Sequence, residues 1–343
     1  MDFRETIAEI FSHLTGDAQQ DIAYLREQSE LYKDDENATE ILRAIGRKIY
    51  SLIPDEEKEE FENLVGNDVE SVNRTVEEAL FLLKQNQPQK AEKMLASLIA
   101  HLDGLFQPDE ECNYFCFANP LEEILYQIHS KSKKTVRKSI YDFVSIYYYY
   151  GYALIENGKL DEAEMALQNA LRWNPVSVMV MKELGEIYKI RKDFDEYLKW
   201  TKQILKFVYS ASDIARCYRN LGYYYTEIEK YDIASALYYL SIEYEQTEIA
   251  NAELFYIAKQ TGTVPQKLPT QEMKELFEKY HIPFGADKDV LGIAYQMGKS
   301  CYEEKEYYGA YFCFHVLFEL TKDEEIQKML QQLETLLKAQ DEN

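Results

Sequence analysis

Apolar residues recur at every third or fourth position along most of this chain, which places them on one face of an α-helix. From residue 72 onward such segments follow one another, each about ten to eighteen residues long, an ordinary helix length. Short polar breaks separate them at 85–88, 157–158, 174–175, 192–193 and 229–230. Strand signals are missing, because no alternating segment is bounded by an Asn-Gly or Asp-Gly pair. The pattern predicts an all-α fold.

The first seventy residues are a distinct acidic piece, with nineteen Asp and Glu against seven Lys and Arg, a net charge of −12. Their apolar residues still recur at helical spacing. They are Ile7, Ile10, Phe11 and Leu14, then Ile41, Leu42, Ile45, Ile49 and Leu52. This periodicity predicts amphipathic helices rather than an acidic tail, with the carboxylates on a solvated face.

An internal repeat organises the middle of the chain. One copy, at 144–177, carries Tyr147, Tyr150, Gly151, Leu154, Ala163, Leu167, Ala170 and Pro175. Gly185 follows Gly151 by 34 residues, and Gly222 follows Gly185 by 37. A displaced copy has Ala294, Met297, Gly298, Cys301, Ala310, Phe314 and Leu317, and a weaker one has Ala79, Leu82, Ala91, Leu95 and Leu98. Small residues in such slots let paired helices approach, so a leucine at Gly185 should overpack a helix pair.

Residues 144–245 strongly resemble the tetratricopeptide repeat family, and 72–104 and 288–321 resemble it weakly. The resemblance implies helix-turn-helix repeats stacked in a right-handed superhelix, with extra amino-terminal helices. It also implies a concave face, lined by the first helix of each repeat, that binds peptides or helices of other proteins. It supplies no catalytic residues. We expect an acidic helical segment at 1–66 and a repeat array at 67–262 with an ordered insertion at 104–120. A linker helix, a repeat-like pair and a capping helix should occupy 263–343.

Residues three before and one after each repeat glycine point roughly 140° away from the packing face. Together with residues six before the glycine and a neighbouring asparagine, they predict a peptide-binding stripe. It consists of Tyr148, Tyr152, Met179, Lys182, Glu186, Arg216, Arg219, Asn220 and Tyr223. The chain has 29 tyrosines, and Tyr and Arg are the residues that binding hot spots favour. The alternative is a structural stripe that packs against the inserted segments.

One known ligand type fits this stripe only in part. Chaperone-binding members of the family hold a terminal carboxylate with a Lys/Asn/Arg clamp, and Lys182, Arg216, Arg219 and Asn220 suggest one. Tyr148 and Tyr152, however, stand where the clamp's first Lys and Asn would be expected.

Charge and cysteine usage restrict partners and location. A formal net charge of −23 repels phosphates and anionic lipid surfaces, so neither nucleic acid nor a membrane is expected as a partner. Five scattered cysteines indicate reduced thiols, and with no signal peptide or apolar run of about 18 residues they predict a cytoplasmic protein. Against the acidic background stands a basic cluster of Lys131, Lys133, Lys134, Arg137 and Lys138. It can pair with the chain's own acids or with an external acidic partner.

No motif for catalysis, cofactor or metal emerges. The run from Gly292 to Lys299 and Ser300 resembles a phosphate-binding loop but has five residues between its glycines and no strand before it. Cys112 and Cys116 form a lone pair, whereas structural zinc needs four ligands. The sequence thus favours a non-enzymatic scaffold that binds a peptide or helical segment of another protein. The alternative is a signalling regulator that responds to a peptide or other ligand, and the oligomeric state stays open.

Overall fold

A computed structural model describes residues 3–33, 35, 37–52, 55–102, 104–106 and 111–341 of the chain. Seventeen helices and two strands lie in these ranges. The first helices are α1 (Phe3–Ser12), α2 (Ala18–Leu31), α3 (Ala38–Leu52), α4 (Asp55–Lys84) and α5 (Pro88–Leu102). The middle elements are β1 (Cys112–Phe115), α6 (Pro120–His129), β2 (Thr135–Lys138), α7 (Phe143–Glu156), α8 (Leu160–Trp173), α9 (Val178–Arg191), α10 (Phe194–Ile204), α11 (Ala211–Glu227) and α12 (Tyr231–Tyr244). The last are α13 (Glu248–Thr261), α14 (Thr270–Lys279), α15 (Lys288–Glu303), α16 (Tyr307–Thr321) and α17 (Glu324–Asp341).

The chain divides into two compact units. The first comprises Met1–Cys116 and Lys133–Ala153, and the second comprises Phe117–Ser132 and Leu154–Asn343. These limits fall elsewhere than the three segments expected from the sequence, a division that stays a prediction.

In the first unit, α1, α2 and α3 enclose a small core of their own. Ile10, Leu25, Ile41 and Ile45 are its fully buried members, and Phe11 is among those that pack around them. The amphipathic helices predicted for the acidic segment are therefore confirmed. A second cluster joins α4 to α5 through Ala79, Ala91 and Leu95, the small and apolar slots of the weakest repeat match.

The expectation that the chain lacks strands is wrong at one place in this unit. β1 and β2 form a parallel pair in which Cys112 lies opposite Thr135 and Phe115 opposite Lys138. Parallel strands need a long crossover rather than a tight turn, so no hairpin signal marks them in the sequence. At four residues each, they are also too short to show alternation clearly.

Five helix pairs share one turn geometry, which explains the regular breaks. One residue in each turn has a positive φ, and the N–H of the following residue donates to a carbonyl five positions back, the bond of a Schellman turn. The five residues are Asn86, Gly158, Lys192, Glu229 and Lys305. The bonds join Gln87 to Leu82, Lys159 to Leu154, Asp193 to Tyr188, Lys230 to Tyr225 and Glu306 to Cys301. Such short turns make successive helices antiparallel neighbours, and α4 contacts α5, α9 contacts α10, α11 contacts α12 and α15 contacts α16.

Small residues permit close helix packing at two of the repeat positions in the second unit. A Cβ placed on Gly222 would lie 2.8 Å from the Tyr238 ring, and one on Gly298 would lie 3.2 Å from Phe314. Gly185 differs, since a Cβ there would meet nothing within 4 Å. The expectation that Gly185 is closely packed is therefore wrong as far as an added Cβ is concerned.

The segment that resembles a phosphate-binding loop is helical throughout. Gly292, Gly298, Lys299 and Ser300 all lie inside α15, and Lys299 forms an ion pair with Glu303 at 3.8 Å. A phosphate loop needs irregular backbone whose N–H groups point at the anion, whereas these N–H groups belong to a continuous helix. The segment thus resembles a phosphate-binding loop in sequence but not in structure.

A buried carboxylate fixes α6 within the second unit. Glu122 accepts hydrogen bonds from the backbone N–H of Ala118 at 2.8 Å, from Asn174 Nδ2 at 2.6 Å and from the Tyr209 hydroxyl at 3.0 Å. Asn119 caps α6 and donates its side-chain N–H to Tyr209 at 3.0 Å. Four hydrogen bonds thus join three distant stretches of the sequence at Glu122 and Tyr209 in one polar network.

Candidate functional site

The predicted stripe is divided between the two units. Tyr148 and Tyr152 belong to the part of α7 in the first unit, where both are half-buried and Tyr148 packs edge-on against Tyr149 at 5.2 Å. The other seven residues lie in the second unit, three on α9 and four on α11. The continuity of the stripe from α7 onto α9 stays a prediction, and so does the binding role of its residues.

Ion pairs connect α9 to α11 across the second-unit stripe. The ammonium group of Lys182 pairs with Asp213, and Arg216 Nη2 lies 3.1 Å from Glu186 Oε1. Burial opposes the charge on Arg216, but its hydrogen bond to Glu186 and the charges of Glu186, Glu183 and Asp213 together outweigh burial and raise the pKa of the guanidinium. The stripe is therefore a ladder of paired charges rather than an unopposed positive surface.

Arg219 continues this arrangement toward α13. Its Nη2 lies 2.9 Å from Glu245 Oε2, and its side chain is only 13% exposed. Its Nη1 is buried and has no hydrogen-bond partner in the described part of the chain. Asn220 beside it is buried. Both residues are thus held below the surface instead of reaching into solvent.

Tyr223 presents a partly covered ring at the centre of the stripe. Lys189 Nζ lies 4.5 Å above the ring centre, a cation–π contact. Tyr197 and Phe194 of α10 flank the ring, with centroid distances of 6.2 Å and 6.5 Å. Aromatic pairs at such distances hold one another in fixed orientations. Tyr223 therefore contributes to the packing of the helix pair as well as to the surface.

Tyr197 itself stands where the repeat pattern places a small residue. It is completely buried, and burial raises the pKa of its hydroxyl. That hydroxyl has no hydrogen-bond partner among the residues described. Because Tyr197 is larger than the residue that the repeat pattern expects, its ring extends from α10 to the stripe and packs against Tyr223.

The helix α13 extends the stripe, and the stripe predicted from the sequence did not include this helix. Ala258 follows Gly222 by 36 residues, close to the repeat period, and the equivalent stripe positions are Ala252, Phe255 and Lys259. The Phe255 side chain is 63% exposed, and Lys259 Nζ lies 4.6 Å above its ring. Because an alanine replaces the expected glycine, only the spacing could have revealed this copy.

The segment between α13 and α15, residues 262–287, is attached to faces of the helices other than the stripe. The Tyr218 hydroxyl donates to the Pro283 carbonyl at 3.1 Å and accepts the Gly285 N–H at 2.7 Å. Tyr239 donates to the Pro265 carbonyl at 2.7 Å. Tyr218 and Tyr239 are not stripe residues, so these bonds attach the segment to other faces of α11 and α12.

Thiols and candidate metal ligands form no site in the described ranges. No group of three His, Cys, Asp or Glu there could hold a metal ion. Burial raises the pKa of Cys116 and of Cys313 to about 11, and it also raises the pKa of Cys217. Thiols of this kind are protonated near neutral pH and behave as small apolar side chains.

Among the described helices, none combines the length and the apolar character that crossing a lipid bilayer requires.

Known proteins are similar to this chain in structure but not in sequence. No protein-family model matches the chain, and no curated protein matches it significantly. Among solved structures, a tetratricopeptide repeat protein from Parabacteroides merdae is 13% identical, with a TM-score of 0.35 over 77% of this chain and 98% of that one. The APC/C hetero-tetramer Cut9–Hcn1 is 10% identical, with a TM-score of 0.38 over 96% of this chain and 59% of that one. A putative protein binding protein from Bacteroides ovatus is 14% identical, with a TM-score of 0.25 over 78% and 98%.

The helix pairs, their shared turns and the spacing of Gly185, Gly222 and Ala258 are those of a helical repeat array. In this architecture the chain resembles tetratricopeptide repeat proteins.

Proposed function

We propose that this protein is a non-enzymatic cytoplasmic scaffold that binds a segment of another protein along the stripe on α9, α11 and α13. The observation that carries the proposal is the pre-arranged order of Arg and Tyr side chains on that stripe. Arg216, whose side chain is 36% exposed, is fixed by Glu186, and the partly exposed ring of Tyr223 is fixed by neighbouring rings. Side chains that are already immobile lose little entropy on binding, which favours affinity.

The composition of the stripe indicates what kind of segment fits it. Met179 and Phe255 are exposed apolar groups on α9 and α13, with paired charges of both signs between them. Such a surface suits an amphipathic helix or extended peptide with apolar anchors and both acidic and basic residues. A free terminal carboxylate is a poorer ligand, because Lys182, Arg216 and Arg219 already contact acids of this chain.

The test compares two double variants at exposed apolar or aromatic positions. Met179→Ser with Phe255→Ser removes the apolar anchors of the stripe. Met165→Ser with Tyr308→Ser removes groups that are 65% and 62% exposed on α8 and α16. The immobilised protein is used to capture partners from its native cell extract, and the bound proteins are quantified by mass spectrometry.

We expect the stripe variant to lose at least one partner by about tenfold, equivalent to about 1.4 kcal/mol, while the control variant retains it. Hydrogen exchange of the complex should then show protection on α9, α11 and α13. Equal losses in both variants, or protection confined to other helices, would reject the stripe as the binding surface. Small-angle X-ray scattering of the same complex tests the regulator alternative, which requires a change in radius of gyration on binding.

A further inference from the structure

The two-stranded sheet of the first unit has an outer edge along β2. Thr135 donates its N–H to the Glu111 carbonyl at 2.8 Å, and Ser139 donates to the Phe115 carbonyl at 2.9 Å. In a parallel pair, alternate residues direct both backbone groups toward the same neighbour. Arg137, between these two, therefore faces β1 as well.

Val136 and Lys138 consequently direct their N–H and C=O groups away from β1. No hydrogen bond to these outward groups is formed by any residue that the structure describes. The Val136 side chain is half-buried and that of Lys138 is exposed, so the edge lies at the surface. An unpaired edge of this kind is a template for another strand.

The charge along this edge is the second observation. Lys133, Arg137 and Lys138 form no ion pair with any described residue. The stripe on α9 and α11 differs, because there Lys182, Arg216 and Arg219 all contact acids. In a chain with a net charge of −23, three cations without an acidic partner on one short segment are an exception that calls for an external anion.

We propose that an extended acidic segment of another protein adds to the outer edge of β2 as a third strand. Its backbone would exchange hydrogen bonds with Val136 and Lys138, which supplies affinity that is independent of sequence. Its carboxylates would lie opposite Lys138 on one face of the sheet and Arg137 on the other, since successive side chains alternate. Opposite charges in such cross-strand positions select an acidic partner. This site is separate from the helical stripe and does not depend on the function proposed for it.

The probe is a labelled, capped peptide of about nine residues that repeats Glu-Glu-Thr-Thr, so that both faces of the added strand carry carboxylates, and it is long enough to span β2. Its binding to the full chain is measured by fluorescence anisotropy at low and high salt. A peptide with Lys in place of Glu is the charge control. Two further peptides carry N-methyl groups on alternate amides, the first on its odd-numbered residues and the second on its even-numbered residues. Each therefore lacks the backbone N–H donors along one of the two edges of the peptide strand.

The protein variants separate charge from backbone bonding. Lys133→Glu with Lys138→Glu reverses the edge charge, while Lys230→Glu with Lys288→Glu makes the same net change at exposed positions of the second unit. Val136→Pro removes the outward N–H but leaves the bonds to β1, because proline is tolerated on the free side of an edge strand. Circular dichroism confirms that each variant folds, and the N-methylated peptides replace the proline variant if it does not.

We expect the Glu peptide to bind the parent chain and the Lys230/Lys288 control equally. Binding should weaken by about tenfold or more in the Lys133/Lys138 variant, in Val136→Pro and with at least one N-methylated peptide. If neither N-methylated peptide binds more weakly than the unmodified Glu peptide, the attraction is one of charge alone and the strand addition is overturned. Two other outcomes would also overturn it. One is failure of the peptide to bind while RNA or anionic vesicles bind through Lys133 and Lys138, and the other is self-association through this edge.

Discussion

The ring of Tyr238 lies directly against the bare Cα of Gly222, so that a Cβ on this glycine would come within 2.8 Å of Tyr238 Cε1 and Cζ. Tyr238 is 1% exposed and belongs to the main core of the second unit, so it has little room to move aside. Gly222 is thus required by packing, and its backbone has ordinary helical geometry.

Gly222→Ala should therefore lower the free energy of unfolding by about 1–3 kcal/mol, because the added carbon overpacks the pair α11 and α12. Gly185→Ala is the matched control. Since a Cβ at Gly185 meets open space, alanine there should raise the free energy of unfolding by up to about 1 kcal/mol through helix propensity. Urea denaturation of both variants measures the difference, and equal effects would contradict the packing role of Gly222.

The sequence predicted the helices because their apolar periodicity and repeat spacing are local properties. It did not predict which small slot is tight, since Gly185 and Gly222 occupy equivalent positions and only Gly222 faces a large ring. The same limit explains the ion pairs. Lys182 and Arg219 are recognisable as stripe residues, but their partners Asp213 and Glu245 depend on how successive helices are offset in space. The β1–β2 pair was missed because its strands are short and 23 residues apart in register.

Removing the carboxylate of Glu122 should be costly. Glu122→Ala leaves the Asn174 amide and the Ala118 N–H without their acceptor, and the free energy of unfolding should fall by about 2–4 kcal/mol. Glu123→Ala, at the next position on α6, alters only an exposed contact with Gln127. This variant should change the free energy of unfolding by about 0.5 kcal/mol or less. Chemical denaturation compares the two. Similar values for both would argue against the buried network.

Acid should weaken the contact between α8 and α9. Burial opposes ionisation of Glu164, but hydrogen bonds from Tyr188 and Arg191, both at 2.5 Å, outweigh it and hold the pKa of this carboxyl below its ordinary 4.5. A depressed pKa contributes stability that is complete above about 4.5 and is lost as the pH falls through the folded-state pKa.

The difference in free energy of unfolding between the parent chain and Glu164→Gln should therefore be largest near neutral pH and shrink below 4.5. Urea denaturation at several pH values between neutral and acid gives this difference directly. A difference that does not vary with pH would contradict the assignment.

Two pairs of stripe residues should affect stability differently. Arg219→Ala with Tyr223→Ala removes the cation that pairs with Glu245 and a ring that packs on Tyr197, so thermal unfolding should shift down by the equivalent of about 1–3 kcal/mol. Met179 and Phe255 are more exposed, so alanine at both positions should change the free energy of unfolding by about 0.5 kcal/mol or less. Identical melting curves for both double variants would show that Arg219 and Tyr223 have no packing role.

Thiol reactivity should follow burial. Cys301 is half-buried, while the other four cysteines are buried, and the pKa of Cys116 and of Cys313 is about 11. Thiolates are the reactive form, so Ellman's reagent near pH 8 should modify Cys301 first and the rest only after unfolding. Rapid modification of Cys217 in the folded chain would contradict its burial.

The pairing of Lys182 with Asp213 and of Arg219 with Glu245 has a consequence for how the array can change in evolution. Both cations stand three residues before a repeat glycine, and each contacts an acid near the start of the next first helix, Asp213 in the first turn of α11 and Glu245 just before α13. The two connections are thus alike in kind, although Asp213 follows Lys182 by 31 residues and Glu245 follows Arg219 by 26. Loss of one whole repeat would bring the first cation to the second acid, and gain of one would insert a further cation with its own acid. The number of repeats can thus vary without leaving a charge unopposed, whereas deletion of part of a repeat between a cation and its acid would separate the two.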